Sequence, residues 1–290
     1  MTALTSYPEP RAVLGEGPIW DTGSQRLYWV DCDQKKLFRL DPANHAIETF
    51  DLPHHPGSYA LRRNGGMLMA YRNQLAWLDP AAGSNTPVDA GGIDFAVERF
   101  NDGKCDRTGR FWAGTMDRRM SEPVGSLYRI DPDRSVHRMA SGMKVSNGMA
   151  FSPDDRIFYH TDSRTGQIFA YDFDIGTGDI RNRRLHFDFA GRAGRADGFT
   201  IDAEGCLWAA EIDAGKIVRI DPRGKCVREI PLPTTRPTSA MFGGANLRTL
   251  YVTTMQHRLT EQQMAQQPQA GCLFAIELDV PGLAEPRFAG

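Results

Sequence analysis

The sequence predicts an all-β fold: a six-bladed β-propeller with four-stranded antiparallel blades around a central channel, residues 1–290 forming one domain. A motif of the form apolar-x-x-apolar-Asp-Pro recurs along the chain at a spacing of roughly 40 to 55 residues, the length expected of a propeller blade. A second strand-like segment precedes every copy, and no long amphipathic helical pattern competes with the strands.

Four copies of the motif are strict: Leu37-Phe38-Arg39-Leu40-Asp41-Pro42, Leu75-Ala76-Trp77-Leu78-Asp79-Pro80, Leu127-Tyr128-Arg129-Ile130-Asp131-Pro132 and Ile217-Val218-Arg219-Ile220-Asp221-Pro222. Two looser copies, Ile168 to Asp172 and Leu273 to Glu277, complete six. Each alternates side chains as a strand does and ends in turn chemistry. The preceding strands run over Gln25 to Val30, Gly66 to Ala70, Arg110 to Ala113, Ile157 to His160, Cys206 to Ala209 and Thr249 to Val252. Thr260 to Gln267, stopped by Pro268, reads as a surface helical turn inserted in the last blade. Ala81 to Pro87 and Gly191 to Arg195 read as connections, and no linker divides the chain.

In a propeller the strand nearest the axis opens each blade, so equivalent positions of the repeat meet at one channel. The residue 11 to 13 places before the second strand's marker residue is polar in all six repeats: Glu16, Ser58, Asn101, Asn147, Asp197 and Ser239. Asp, Asn and Glu before Gly are common in turns for local reasons, but agreement among six repeats points to a shared role. Carboxylates, amides and hydroxyls facing one channel make an oxygen-rich cage suited to a hard divalent cation. Glu16 and Asp197 supply charge and Asn147 a neutral carbonyl oxygen; the expected cofactor is one cation, Ca²⁺, Zn²⁺, Mn²⁺ or Fe²⁺.

Charged residues at 24%, hydrophobic ones at 41% and a net charge of −2 are those of a soluble globular protein with no polyanion partner. Arginines sit beside acids, as in Asp154-Asp155-Arg156, so nucleic-acid binding is not expected. The first residues carry no leader pattern and no stretch has the length of a membrane span, which makes the cytoplasm the expected location and a monomer or weak homo-oligomer the expected assembly. Five cysteines, scattered and never in Cys-x-x-Cys spacing, predict free thiols.

At Gly15-Glu16-Gly17-Pro18-Ile19-Trp20, Arg99-Phe100-Asn101-Asp102-Gly103-Lys104, Ala113-Gly114-Thr115-Met116, Ser146-Asn147-Gly148, Asp197-Gly198 and Gly271-Cys272-Leu273-Phe274 the chain resembles the senescence marker protein 30/gluconolactonase/luciferin-regenerating family. The motifs follow one another in the family's order over nearly the whole chain. The resemblance implies a six-bladed propeller and hydrolysis of a sugar lactone. It makes Glu16, Asn147 and Asp197 the metal ligands and Arg99 and Asn101 the substrate contacts. A further substrate contact, a carboxylate in some animal members, aligns with Arg119, which puts a cation where those members have an anion.

The chemistry this implies is attack of an activated water on a polarised lactone carbonyl, with Asp197 as general base and Arg99 and Asn101 as donors to substrate. Asp102, one residue from Asn101, is expected on the opposite face of an extended strand, supporting Arg99 from behind. No Gly-x-Ser-x-Gly elbow is present, and neither Ser58 nor Ser239 has a histidine partner in evidence, which argues against Ser-His-Asp hydrolysis. His54-His55 reads as a loop pair and His160 as a packed strand residue. A non-enzymatic metal-binding propeller, or an esterase or phosphotriesterase on the same metal centre, are the competing readings.

Overall fold

Short alternating strands joined by tight Asp- and Gly-containing turns pair with their neighbours in sequence, so each repeat folds into a meander. The computed structural model, which describes residues 4–290, contains six four-stranded sheets. Their innermost strands are Gly15–Asp21, Pro56–Leu61, Glu98–Cys105, Ser146–Phe151, Arg195–Ile201 and Pro237–Gly243. Each packs against the next in a closed ring, which gives the six-bladed propeller that the repeat predicts. Every Asp-Pro motif and both looser copies lie on third strands, Lys36–Asp41 and Gln74–Asp79 among them.

The last blade is closed by the chain's beginning. Leu4–Tyr7 pairs antiparallel with Leu273–Glu277, Leu4 opposite Ile276 and Tyr7 opposite Leu273, so its outer strand comes from the far end of the sequence. This closure joins the two ends of the ring by backbone hydrogen bonds. It carries no repeat signal and is absent from the sequence-based reading. The predicted helical turn is Glu261–Gln266, started by a capping box between Thr260 and Gln263. Among the described residues no helix is long and apolar enough to cross a membrane. All five cysteines are free, four of them buried.

Apolar clusters fill the wedges between blades. Trp112, Phe151, Phe158 and Phe173 form one, with Trp112 fully buried and its ring 5.0 Å from that of Phe158. Buried carboxylates complete these wedges by taking the indole donors. Trp112 Nε1 donates to Asp106 Oδ2 at 3.0 Å, and Trp208 Nε1 donates to Asp202 Oδ2 at 2.9 Å. Asp202 also accepts Arg219 Nε and Nη2 at 2.9 and 2.7 Å and the backbone N–H of Glu204 and Cys206. Substituting Asp202→Asn keeps the shape and removes the charge-assisted bonds, and is expected to cost about 2 kcal/mol in urea unfolding. A loss under about 0.5 kcal/mol would show that the charge contributes nothing there.

A tail after the last blade runs across the base of the ring. The Ala203 N–H donates to Pro281 O at 2.9 Å, Lys104 pairs with Glu285 at 3.0 Å, Arg287 pairs with Asp21, and the Phe288 N–H donates to Leu61 O at 2.8 Å. The channel is thereby crossed on one side, and its large opening is the other.

Candidate functional site

Each of the six innermost strands carries a register break against its second strand, between Glu16 and Ile19, Pro56 and Ser58, Phe100 and Gly103, Asn147 and Met149, Ala196 and Phe199, and Pro237 and Ser239. A bulge interrupts the alternation of faces and re-aims side chains, here toward the axis. Above these bulges lies a cavity of about 340 Å³ lined by Glu16, Asn101, Asn147 and Asp197. Four of the six predicted ring residues therefore meet.

Ser58 and Ser239 do not line it. In their strands the bulge falls one residue earlier, at Gly57 and Thr238, so the serines face a smaller space beneath, beside Lys104 and Glu285. The ring of six polar residues is thus an acidic and amide arc with two gaps. Asp102 corrects a second expectation. Because Asn101 and Asp102 both fall within the bulge between Phe100 and Gly103, strand alternation fails there and both side chains line the cavity. Asp102 accepts the Gly103 N–H at 2.7 Å, and it makes no ion pair with Arg99.

What sets these side chains in place is a carboxylate at the end of the neighbouring second strand. Asp31, fully buried, accepts the Val13 N–H at 2.6 Å and the Leu14 N–H at 3.3 Å, just before Glu16. Asp162 accepts the Lys144 and Val145 N–H groups at 2.9 and 3.1 Å, just before Asn147. Glu211, 1% exposed, takes Arg192 in two hydrogen bonds of 3.1 and 2.6 Å ahead of Asp197. Gly148 follows Asn147 at φ +39°, and any Cβ there would collide with the Phe199 ring. Sequence reasoning passed over these anchors, although Asp31 and Asp162 hold equivalent places in their repeats.

Burial raises the pKa values of the carboxyls on the floor. Asp197, only 7% exposed, is pushed up to about 7, first by burial and then by the charge of Asp102; the Asn147 amide, donating to its Oδ1, and Arg195 act against this. Burial, followed by the charges of Asp197 and Asp102, also holds Glu16 well above the ordinary carboxylate range, and burial raises Asp102. Among the described residues none of the three has an ion-pair partner. Three carboxylates facing one low-dielectric space, none of them ion-paired, are costly to keep charged, and their oxygens with the neighbouring amide oxygens are a donor set whose chemistry fits a hard divalent ion.

Two details shape that fit. Among the described residues no three His, Cys, Asp or Glu side chains converge as a ligand cluster, so Glu16 and Asp197 would act with amide oxygen rather than with a third carboxylate. Asn147 Nδ2 donates to Ser163 Oγ at 3.2 Å as well as to Asp197. Its amide nitrogen therefore faces the carboxylate, while its Oδ1 accepts the Gly148 N–H at 3.2 Å and keeps a lone pair for a cation.

Arg99 and Asn101 stand on the wall of the same cavity. Arg99 Nη1 donates to Phe100 O at 3.1 Å; burial, with the charge of Arg72 behind it, lowers its pKa to about 10. Asn101 Nδ2 donates to Ser146 O at 3.0 Å, tying the third blade to the fourth and leaving its carbonyl oxygen for the cavity. Arg119 is exposed and lies outside the lining; its backbone N–H joins those of Ser121 and Glu122 on Asp117 at 3.1, 2.7 and 2.9 Å. Its neighbours Arg118 and Met120 line the mouth instead. His160 is a core residue, as expected, 2.7 Å from Ser146 Oγ, with burial holding it neutral at about 3. His54 and His55 also stay out of the lining: His54 packs edge-on to Tyr71, and His55 Nδ1 lies 2.9 Å from Cys32 O.

Known proteins share both the sequence and this architecture. A 6-deoxy-6-sulfogluconolactonase of Pseudomonas putida is 40% identical over 280 residues, covering 96% of each chain. Regucalcin of Xenopus laevis is 37% identical over 287 residues, covering 96% of this chain and 95% of its own. The crystal structure of a calcium-binding regucalcin from Agrobacterium tumefaciens, 27% identical, superposes with a TM-score of 0.92 over 98% of this chain and 96% of that one. Residues 14–256 match the SMP-30/Gluconolactonase/LRE-like region, and the chain belongs to that family.

Proposed function

We propose that this protein is a sugar lactonase that opens an aldono-lactone to its aldonic acid with one divalent cation held by Glu16, Asn147 and Asp197. The observation that carries the reading is the meeting, in one cavity of about 340 Å³, of these three oxygen donors with Arg99 and Asn101. The relationship to a sulfogluconolactonase across 96% of the chain supports the reaction class.

When bound, the cation would supply Lewis acidity, polarising a carbonyl and lowering the pKa of water. The chain's own residues supply the rest. Asp197, on the floor of the cavity beside the other donors, is placed to orient water and take a proton from it. The water oxygen bonds to the carbonyl carbon, the ring C–O bond breaks, and the proton passes to the ring oxygen, giving a hydroxy acid. Arg99 donates to the oxygen on which negative charge develops, and the Asn101 carbonyl oxygen accepts from a ring hydroxyl. Asp102 keeps the floor acidic and favours a cation there.

Incubating the protein with glucono-, xylono-, arabino- and galactono-lactone, with and without chelator, is expected to show opening of at least one above the spontaneous rate and loss of that activity on chelation. No acceleration of any of them would overturn the proposal. Activity that survives chelation would retain the lactonase and remove the cation, and aryl esters and organophosphates in the same panel test the competing hydrolases.

A further inference from the structure

We propose that the arginine-bearing wall of this cavity is an oxyanion subsite, selecting sugar lactones that carry a sulfonate, phosphate or carboxylate group, with Arg118 as the specificity-determining residue beside Arg72 and Arg99. The inference rests on the lactonase reading and names the substrate class for that site.

The charge arrangement carries it. Two deeper arginines of the cavity are matched, Arg195 and Arg236 sharing Asp213, the second at 3.0 Å, while the exposed Arg164 and Arg258 of the same lining add cationic charge at its rim. Arg72, Arg99 and Arg118 are not so matched. Arg99 and Arg118 donate only to backbone carbonyls, Phe100 O at 3.1 Å and Phe95 O at 2.9 Å, and among the described residues neither has a carboxylate in ion-pair range. Arg72 has Asp33 at 2.8 Å, but His257 takes the same carboxylate at 2.8 Å, and the buried Arg72 Nε has no hydrogen-bond partner. Three guanidiniums thus face one shared carboxylate. Arg72 and Arg118 both act against the cationic form of Arg99. Neutral hydroxyls call for no such concentration of cations, whereas a fork of donors matches the planar or tetrahedral oxygens of an anionic group.

The subsite is also pre-formed. The turn that carries Arg118 is pinned where Asp117 accepts three backbone N–H groups, from Arg119, Ser121 and Glu122. Arg118 itself is held by its N–H on Val97 O at 3.2 Å and its Nη1 on Phe95 O at 2.9 Å, which lowers the ordering cost on binding. The subsite shares one cavity with the acidic floor: Arg72, Arg99 and Arg118 line it together with Glu16, Asp102 and Asp197. One small molecule can therefore place its carbonyl over the floor, within reach of Arg99, and its anionic substituent against Arg72 and Arg118.

The test compares kcat/KM for gluconolactone with that for 6-phosphogluconolactone, 6-deoxy-6-sulfogluconolactone and glucaro-1,4-lactone, whose three anionic groups separate phosphate, sulfonate and carboxylate. At least one anionic lactone is expected to be preferred by tenfold or more. Arg118→Ala is expected to lower the anionic-to-neutral ratio by about tenfold to a hundredfold, and Arg118→Lys to restore part of it. Equal use of neutral and anionic lactones by the wild type, or a parallel fall on both in Arg118→Ala, would overturn the subsite. Calorimetric titration with 6-phosphogluconate against gluconate reads the subsite without turnover. If no lactone is opened, the lactonase reading fails, while tighter binding of the phosphorylated acid still supports the subsite and equal binding removes it.

Discussion

The Asp197→Asn protein is expected to fold as the wild type does and to lose about a thousandfold or more of kcat/KM toward the preferred sugar lactone. The substitution is isosteric, and Asp197 is nearly buried between Asn147 and the bulge that carries it. Two effects add. Removing a positioned base costs about 10²- to 10⁴-fold. Removing one of two ligand carboxylates also weakens the hold on a cation, because Glu16 alone then balances its charge. The two are separable by titrating the cation into the variant: if rate returns at saturation, Asp197 acts as a ligand only, and if binding returns without rate, it is the base. Activity within tenfold of wild type would exclude both roles.

The propeller was legible because its signal is repeated: six copies of one strand motif, each with a partner strand, leave few other architectures for a chain without helical periodicity. The floor of the site was legible for the same reason, since Glu16, Asn101, Asn147 and Asp197 occupy one place in the repeat and converge in the structure. What escaped depends on geometry below the resolution of a repeat. A bulge shifted by one residue removes Ser58 and Ser239 from the cavity, and another brings Asp102 in. Arg118 rather than Arg119 reaches the mouth because a turn, not a strand, follows Asp117, so alternation gives no guide there. The pairing of Leu4–Tyr7 with Leu273–Glu277 joins segments with no shared pattern. Asp31 and Asp162 resemble ordinary strand-end turn residues until their backbone partners are seen.

Stabilisation of the fold by a divalent cation is expected to grow as pH rises from 5 to 8. In the metal-free protein, burial and mutual repulsion hold Asp197 at about 7 and raise Glu16 and Asp102. A carboxyl whose folded pKa is raised binds more protons in the folded than in the unfolded chain, so its contribution to stability falls as pH climbs from the unfolded value toward the folded one. A cation reverses this by replacing the protons, and its apparent affinity rises over the same window because those protons must leave first. Metal-free melting curves alone would blur the effect. His160 and His186, held neutral by burial at about 3 and 4, contribute stability that is lost as pH falls below the ordinary histidine value, an opposite slope in an overlapping window. Both histidines titrate alike with and without cation, so the difference in Tm between cation-loaded and chelated protein isolates the carboxylates. With calcium or manganese at about a thousand times Kd the stabilisation approaches about 4 kcal/mol at pH 8. Most of the pH dependence of that difference is expected to vanish in Asp197→Asn. A difference in Tm that is the same at pH 5 and pH 8 would place the cation away from these carboxylates.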